Sequence, residues 1–116
     1  MEIEIKISGN VSIIAIKGGV SFLSVDEFNQ LFAQAVSQNK PNIALDMTHV
    51  TFIDSTGIGA LISRLNFCKE NKIQMYLVSL SRTLQMVFKM SKLTTLFKII
   101  SQEEFDNLFP AAKVKD

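Results

Sequence analysis

Between Phe52 and Gly59 the sequence reads Phe-Ile-Asp-Ser-Thr-Gly-Ile-Gly, setting a carboxylate, two hydroxyls and two glycines where an apolar run gives way to a helical pattern. Such a group can do several things. Asp54 or Ser55 can cap the free N–H groups of a helix start, while Gly57 and Gly59 either remove side chains from a face that something must approach or are small residues for tight packing of a capped helix against the sheet. The Ser55 hydroxyl could serve as a nucleophile if a base stood beside it. A hydroxyl at a helix N-terminus can also carry a phosphate, because the helix dipole and the unpaired N–H groups favour an anion.

The other reactive side chains are few. His49 is the only histidine, and it precedes Ser55 by six residues. The nucleophile-elbow pattern G-x-S-x-G is absent, since Ile53 stands where its first glycine belongs. His49 therefore reads as a loop residue on the rim. One histidine and one cysteine cannot assemble a zinc site of the usual ligand count, and no G-x-x-x-x-G-K-[ST] cradle for a nucleotide is present. Cys68 falls in a helical pattern with Leu61 and Leu65, which assigns it to packing. Enzyme activity is not expected, and no cofactor is implied.

The elements that must position the 52–59 segment follow from periodicity. Residues 2 to 8 alternate strictly, Gly9-Asn10 supplies turn chemistry, and residues 11 to 17 are rich in β-branched side chains, so the chain opens with a hairpin. Ser24-x-x-Glu27 predicts a capping box, and Val25, Phe28, Leu31, Phe32, Ala35 and Val36 give a first helix of about residues 25 to 38. Pro41 closes that helix, and Ile43 to Met47 is a short run of buried-strand type. Ile58, Leu61, Ile62, Leu65 and Cys68 mark one face of a second helix ending near Asn71. A strand over 73–78 follows, then a helix capped by Ser81 with Leu84, Val87 and Phe88, and a short strand over 97–100. Ser101-x-x-Glu104 predicts a second capping box, opening a helix that carries Phe105, Leu108 and Phe109 and is closed by Pro110. Strands alternating with helices imply parallel crossovers and a mixed sheet with helices packed on it.

The whole chain fits one domain of 116 residues, with 47% apolar and 20% charged residues. The nine phenylalanines fall mostly at core-facing positions. Twelve Lys and Arg against eleven Asp and Glu leave a net charge of +1 without clustering, so direct nucleic-acid binding is not expected. No apolar run approaches the roughly 20 residues that span a bilayer, and the N-terminal segment lacks the pattern of a signal peptide. A cytoplasmic protein without membrane insertion, monomeric when free, is the expectation, and a single cysteine fits a reducing compartment.

The run from Val50 to Leu61, VTFIDSTGIGAL, with an apolar strand ahead of it, closely resembles the signature of the STAS domain, in particular that of the bacterial anti-sigma-factor antagonists. The strand IQMYLVSLS, the helix containing Val87-Phe88-Lys89-Met90-Ser91, and the Leu93–Ile100 segment followed by an acidic stretch fall in the family's order, so the resemblance covers essentially the whole chain. It implies an α/β fold: one STAS-type domain over residues 1–110, a mixed sheet with about four helices, and a frayed tail over 111–116. By resemblance, Ser55 is the phosphorylation site of a partner-switching regulator. The kinase is an anti-sigma factor with a histidine-kinase-like ATPase fold and serine kinase activity, and a metal-dependent serine phosphatase reverses the modification. The resemblance implies that the unphosphorylated form binds the anti-sigma factor and frees a sigma factor to direct transcription. Partner binding is thereby expected at Asp54, Ser55, Thr56, Gly57, Ile58 and Gly59, with the two glycines admitting the partner's active site. Family members often carry an acidic residue in a G-x-[LIV]-D stretch beside this loop; Ser21 of Gly18-Gly19-Val20-Ser21 takes that place and joins the expected partner surface. Two other roles stand beside this one: an accessory subunit of a transporter or sensory scaffold, with Ser55 merely structural, and a small hydrolase using Ser55.

Overall fold

The computed structural model describes residues 1–112. Five strands form one mixed sheet in the order β1 (Glu2–Ser8), β2 (Val11–Val20), β3 (Asn42–Ile53), β4 (Gln74–Val78) and β5 (Ile99–Ile100). The first pair is the antiparallel hairpin, turning at Gly9, whose φ of 57° lies in the left-handed region. All later pairings are parallel, as the alternation of strands with helices α1 (Val25–Val36), α2 (Ser55–Glu70), α3 (Arg82–Met90) and α4 (Gln102–Leu108) requires.

The sheet buries both faces. On one, Ile14, Ile16, Ile43, Leu45, Met47, Met75 and Leu77 meet Phe28 and Phe32 of α1, Leu61, Leu65 and Cys68 of α2, and Leu84 and Phe88 of α3. On the other, Val11, Ala44, Val78 and Ile100 pack under Phe105 and Phe109 beside α4. Six of the nine phenylalanines are buried, as expected, but Phe22 and Phe52 stand exposed.

Several local expectations change. β3 runs six residues beyond Met47 because two register shifts against β2 interrupt its alternation, and the carboxylate of Asp46 accepts from the N–H and hydroxyl of Thr48 at the first. His49 consequently lies in β3, exposed and opposite Lys17, and not in a loop. The Ser24 capping box does not form: the hydroxyl donates to the Gly19 carbonyl at 3.0 Å and accepts from the Ser21 N–H at 3.1 Å, turned toward its own loop and away from the helix. Ser81 caps α3 through the Leu84 N–H, and the Ser101–Glu104 box forms in both directions. Leu108 is exposed, because its neighbours Phe105 and Phe109 take the inward side of the short helix. Ala111 and Ala112, expected to begin a frayed tail, form a 3-10 turn with Pro110, where the Ser8 hydroxyl donates to the Ala111 carbonyl and Ala112 is buried. The expectation for 113–116 lies outside the described residues.

Candidate functional site at the β3–α2 junction

β3 ends at Ile53 and α2 starts at Ser55, leaving Asp54 as the N-cap with extended backbone. Sequence left the cap open between Asp54 and Ser55; the carboxylate takes it. Asp54 Oδ1 accepts from the Gly57 N–H at 2.8 Å, satisfying one of the donors that a helix start leaves free. The second oxygen does something a cap does not need. Oδ2 accepts from the Phe22 N–H at 3.2 Å, tying the helix start to a loop 32 residues earlier.

That loop, residues 21–24, is brought beside the junction by the parallel pairing of Val20 with Ile53 and by the Asp54 N–H donating to the Val20 carbonyl at 3.3 Å. Ser21 is buried within it, its hydroxyl accepting from the Leu23 N–H at 3.3 Å, so it shapes the loop and presents no exposed group. Gly57 is buried too, and a Cβ there would stand 2.0 Å from the Val20 carbonyl oxygen. Its missing side chain serves the close approach of α2 to β2, which corrects the expectation that both glycines open the surface to a partner. Gly59 does fit that expectation: it is exposed, with open space where a Cβ would lie.

Ser55 and Thr56 are therefore left as exposed hydroxyls on the first turn of α2, with Ile58 half-buried behind them. At the same end of the sheet three large apolar side chains are exposed on the segments that meet at this junction: Phe22 is 68% exposed, Leu23 83% and Phe52 53%. Phe52 lies across Gly19, where a Cβ would come within 2.3 Å of its ring, so Gly19 lets the aromatic lie flat on β2. These three escaped the sequence reading. The available signal was Phe22-Leu23 itself, an apolar pair between Gly18-Gly19 and Ser24 that no strand or helix period claims.

Cys68 is fully buried, and burial pushes its thiol up to about 11, with the Arg64 charge acting weakly the other way. A protonated, inaccessible thiol is not a nucleophile. Among the described residues no three His, Cys, Asp or Glu side chains are grouped so as to hold a metal ion, and no helix is long and apolar enough to cross a membrane.

The STAS domain family model matches residues 2–105 of the chain, which span the five strands, the β3–α2 junction and the start of α4. The chain belongs to the STAS domain family. Similar solved STAS folds include the anti-sigma factor antagonist SpoIIAA in its unphosphorylated form, at 19% identity and TM-score 0.74 over 97% of this chain and 100% of that one. The phosphorylated form of SpoIIAA, a Bacillus cell fate determinant, aligns at 19% identity and TM-score 0.69 over 92% and 98%. TM1081 of Thermotoga maritima aligns at 20% identity and TM-score 0.82 over 93% and 94%. A sulfate transporter family protein from Wolinella succinogenes aligns at 18% identity and TM-score 0.75 over 90% and 92%. At these identities the likeness is one of fold: the α/β STAS architecture, close to that of anti-sigma factor antagonists.

Proposed function

We propose that this STAS domain is an anti-sigma factor antagonist, a partner-switching regulator controlled by phosphorylation of Ser55 and acting by binding, without catalysis of its own. The observation that carries the reading is the exposed Ser55 hydroxyl on the first residue of α2, directly after a cap formed by Asp54. An acceptor there is reachable, and the helix start tolerates the anion that forms. The existence of SpoIIAA in both an unphosphorylated and a phosphorylated form supports the same reading.

The switch follows from electrostatics. A phosphate adds about −1.5 to −2 charge at neutral pH beside the Asp54 carboxylate, on a surface otherwise dominated by apolar groups. Burying an unmatched charge in an interface costs several kcal/mol, and about 1.4 kcal/mol is tenfold in affinity. The unphosphorylated domain binds an anti-sigma factor with serine kinase activity; the phosphorylated domain does not, until a serine phosphatase restores it. The partner surface comprises Ser55, Thr56 and Gly59, with Asp54, Gly57 and Ser21 holding it in shape from within.

Titration calorimetry with the ATPase-type anti-sigma factor recovered with this protein by pull-down from its own cells tests the reading. Ser55→Ala is expected to bind like the unmodified protein and to take up no phosphate. Thr56→Ala should still be modified, and a Ser55-phosphorylated sample should bind at least tenfold more weakly. Equal affinity for all would defeat the switch. The likeness to a sulfate transporter family protein favours one second reading, a STAS subunit docked on a transporter with Ser55 structural, for which adjacent transporter genes would speak.

A further inference from the structure

The exposed apolar side chains are not spread evenly. Phe22, Leu23 and Phe52 gather at the junction that presents Ser55. Over residues 18–24 and 50–60, the segments that build this end, Asp54 is the only charged residue. Both of its oxygens are already engaged, one by the Gly57 N–H and one by the Phe22 N–H. On these two segments a partner reaching Ser55 meets hydrocarbon and hydroxyls, the next charges after residue 24 being the exposed Asp26 and Glu27 on the first turn of α1. Each of these side chains stands out of the fold's own packing: none of the three belongs to either buried cluster, and Phe52 lies against Gly19.

We propose that Phe22, Leu23 and Phe52 form an apolar collar that carries the affinity for the kinase partner of Ser55, recognition being by burial of these side chains in a complementary apolar pocket and not by charge pairing. The inference rests on the reading of Ser55 as a phosphorylation site. Its occupant is fixed by continuity: an enzyme that closes on the Ser55 hydroxyl must also cover the groups surrounding that hydroxyl. Asp54 is a positioning residue in this arrangement. By holding the Phe22 amide and the start of α2 with one carboxylate, it keeps collar and hydroxyl in a single surface. Exposed aromatic and aliphatic side chains buried at the centre of an interface are the usual carriers of binding energy, and the small exposed residues Thr56 and Gly59 leave room for the pocket wall.

The test uses the full chain, tagged, in the cells that make it. After a pulse of labelled phosphate, the initial rate of incorporation at Ser55 is measured for the wild type, Phe22→Ser, Leu23→Ser, Phe52→Ser and the control Met90→Ser, a residue 79% exposed on α3. Each of the three collar variants is expected to be labelled about tenfold more slowly or worse, the effect of losing one central apolar contact, and the control to match the wild type. Thermal melting close to that of wild type shows that the variants fold, and Leu23→Ala, the mildest change, should fall between Leu23→Ser and wild type. If the wild type is labelled at Ser55 and the collar variants equal it, the collar proposal is overturned while the phosphorylation reading stands. No label at Ser55 in the wild type overturns that reading, and the collar with it. Should the purified wild type instead dimerise at micromolar concentration in sedimentation, with Leu23→Ser monomeric and labelled normally, the collar covers a second copy of the chain and the proposal fails.

Discussion

Two helix starts in this molecule solve the same problem with different means. At the β5–α4 junction, Ser101 and Glu104 satisfy the free donors reciprocally, every bond lies within four residues, and the flanking Gln102 and Glu103 are exposed and polar. Beyond that cap, the Ser79 hydroxyl donates to Gln102 Oε1 at 3.3 Å, a tie between exposed polar groups. At the β3–α2 junction the cap reaches across 32 residues to the Phe22 amide, the helix is pressed against β2 so closely that only glycine fits at position 57, and large apolar groups are left in water. The surplus at the second junction cannot be explained by helix initiation, and it surrounds one exposed serine. That surplus is what makes the second junction the candidate site.

Position 57 is the tightest point of the second junction. Gly57→Ala would put a methyl group into the Val20 backbone, and chemical denaturation should show a loss of about 3 kcal/mol or more, since backbone atoms cannot step aside cheaply. A loss within the roughly ±0.5 kcal/mol range of ordinary surface changes would mean that α2 is not held against β2 in this way. Next in size is Asp54→Ala, expected to cost about 2 kcal/mol because it removes a cap and leaves the Phe22 amide without its partner. Ser101→Ala removes a local cap alone and should cost about 1 kcal/mol. Hydrogen exchange sharpens the contrast: the Phe22 amide should exchange faster in Asp54→Ala and unchanged in Ser101→Ala. The smallest effect has the opposite sign. Gly59→Ala, two residues from the tightest position but with open space around it, should stabilise by about 0.5 to 1 kcal/mol through helix propensity.

The order of elements and the strand-to-helix junction at 52–59 were legible because both are carried by local signals: strict alternation in Glu2–Ser8, helical spacing of Leu61, Leu65 and Cys68, and turn chemistry at Gly9-Asn10. What escaped depends on contacts between distant segments. The far half of β3 did not read as a strand because its register shifts leave two exposed residues in succession twice, at Thr48-His49 and Thr51-Phe52. Ser24 looked like a capping box because its spacing to Glu27 is right, yet its hydroxyl is drawn to Gly19 by the loop it closes. Gly57 and Gly59 are indistinguishable in a pattern; only the position of Val20 separates a packing glycine from an open one. Asp54 read as a cap, but its second bond, to Phe22, exists only once β2 and β3 lie side by side.

The central claim is that the exposed hydroxyl of Ser55 accepts a phosphate. Phosphosite mapping by mass spectrometry of the protein isolated from its own cells, under conditions that block phosphatases, reads it directly. The account predicts a single modified residue, Ser55, in part of the molecules, with Thr56 unmodified. Phosphate confined to Thr56, or none at either hydroxyl across growth conditions, would contradict it.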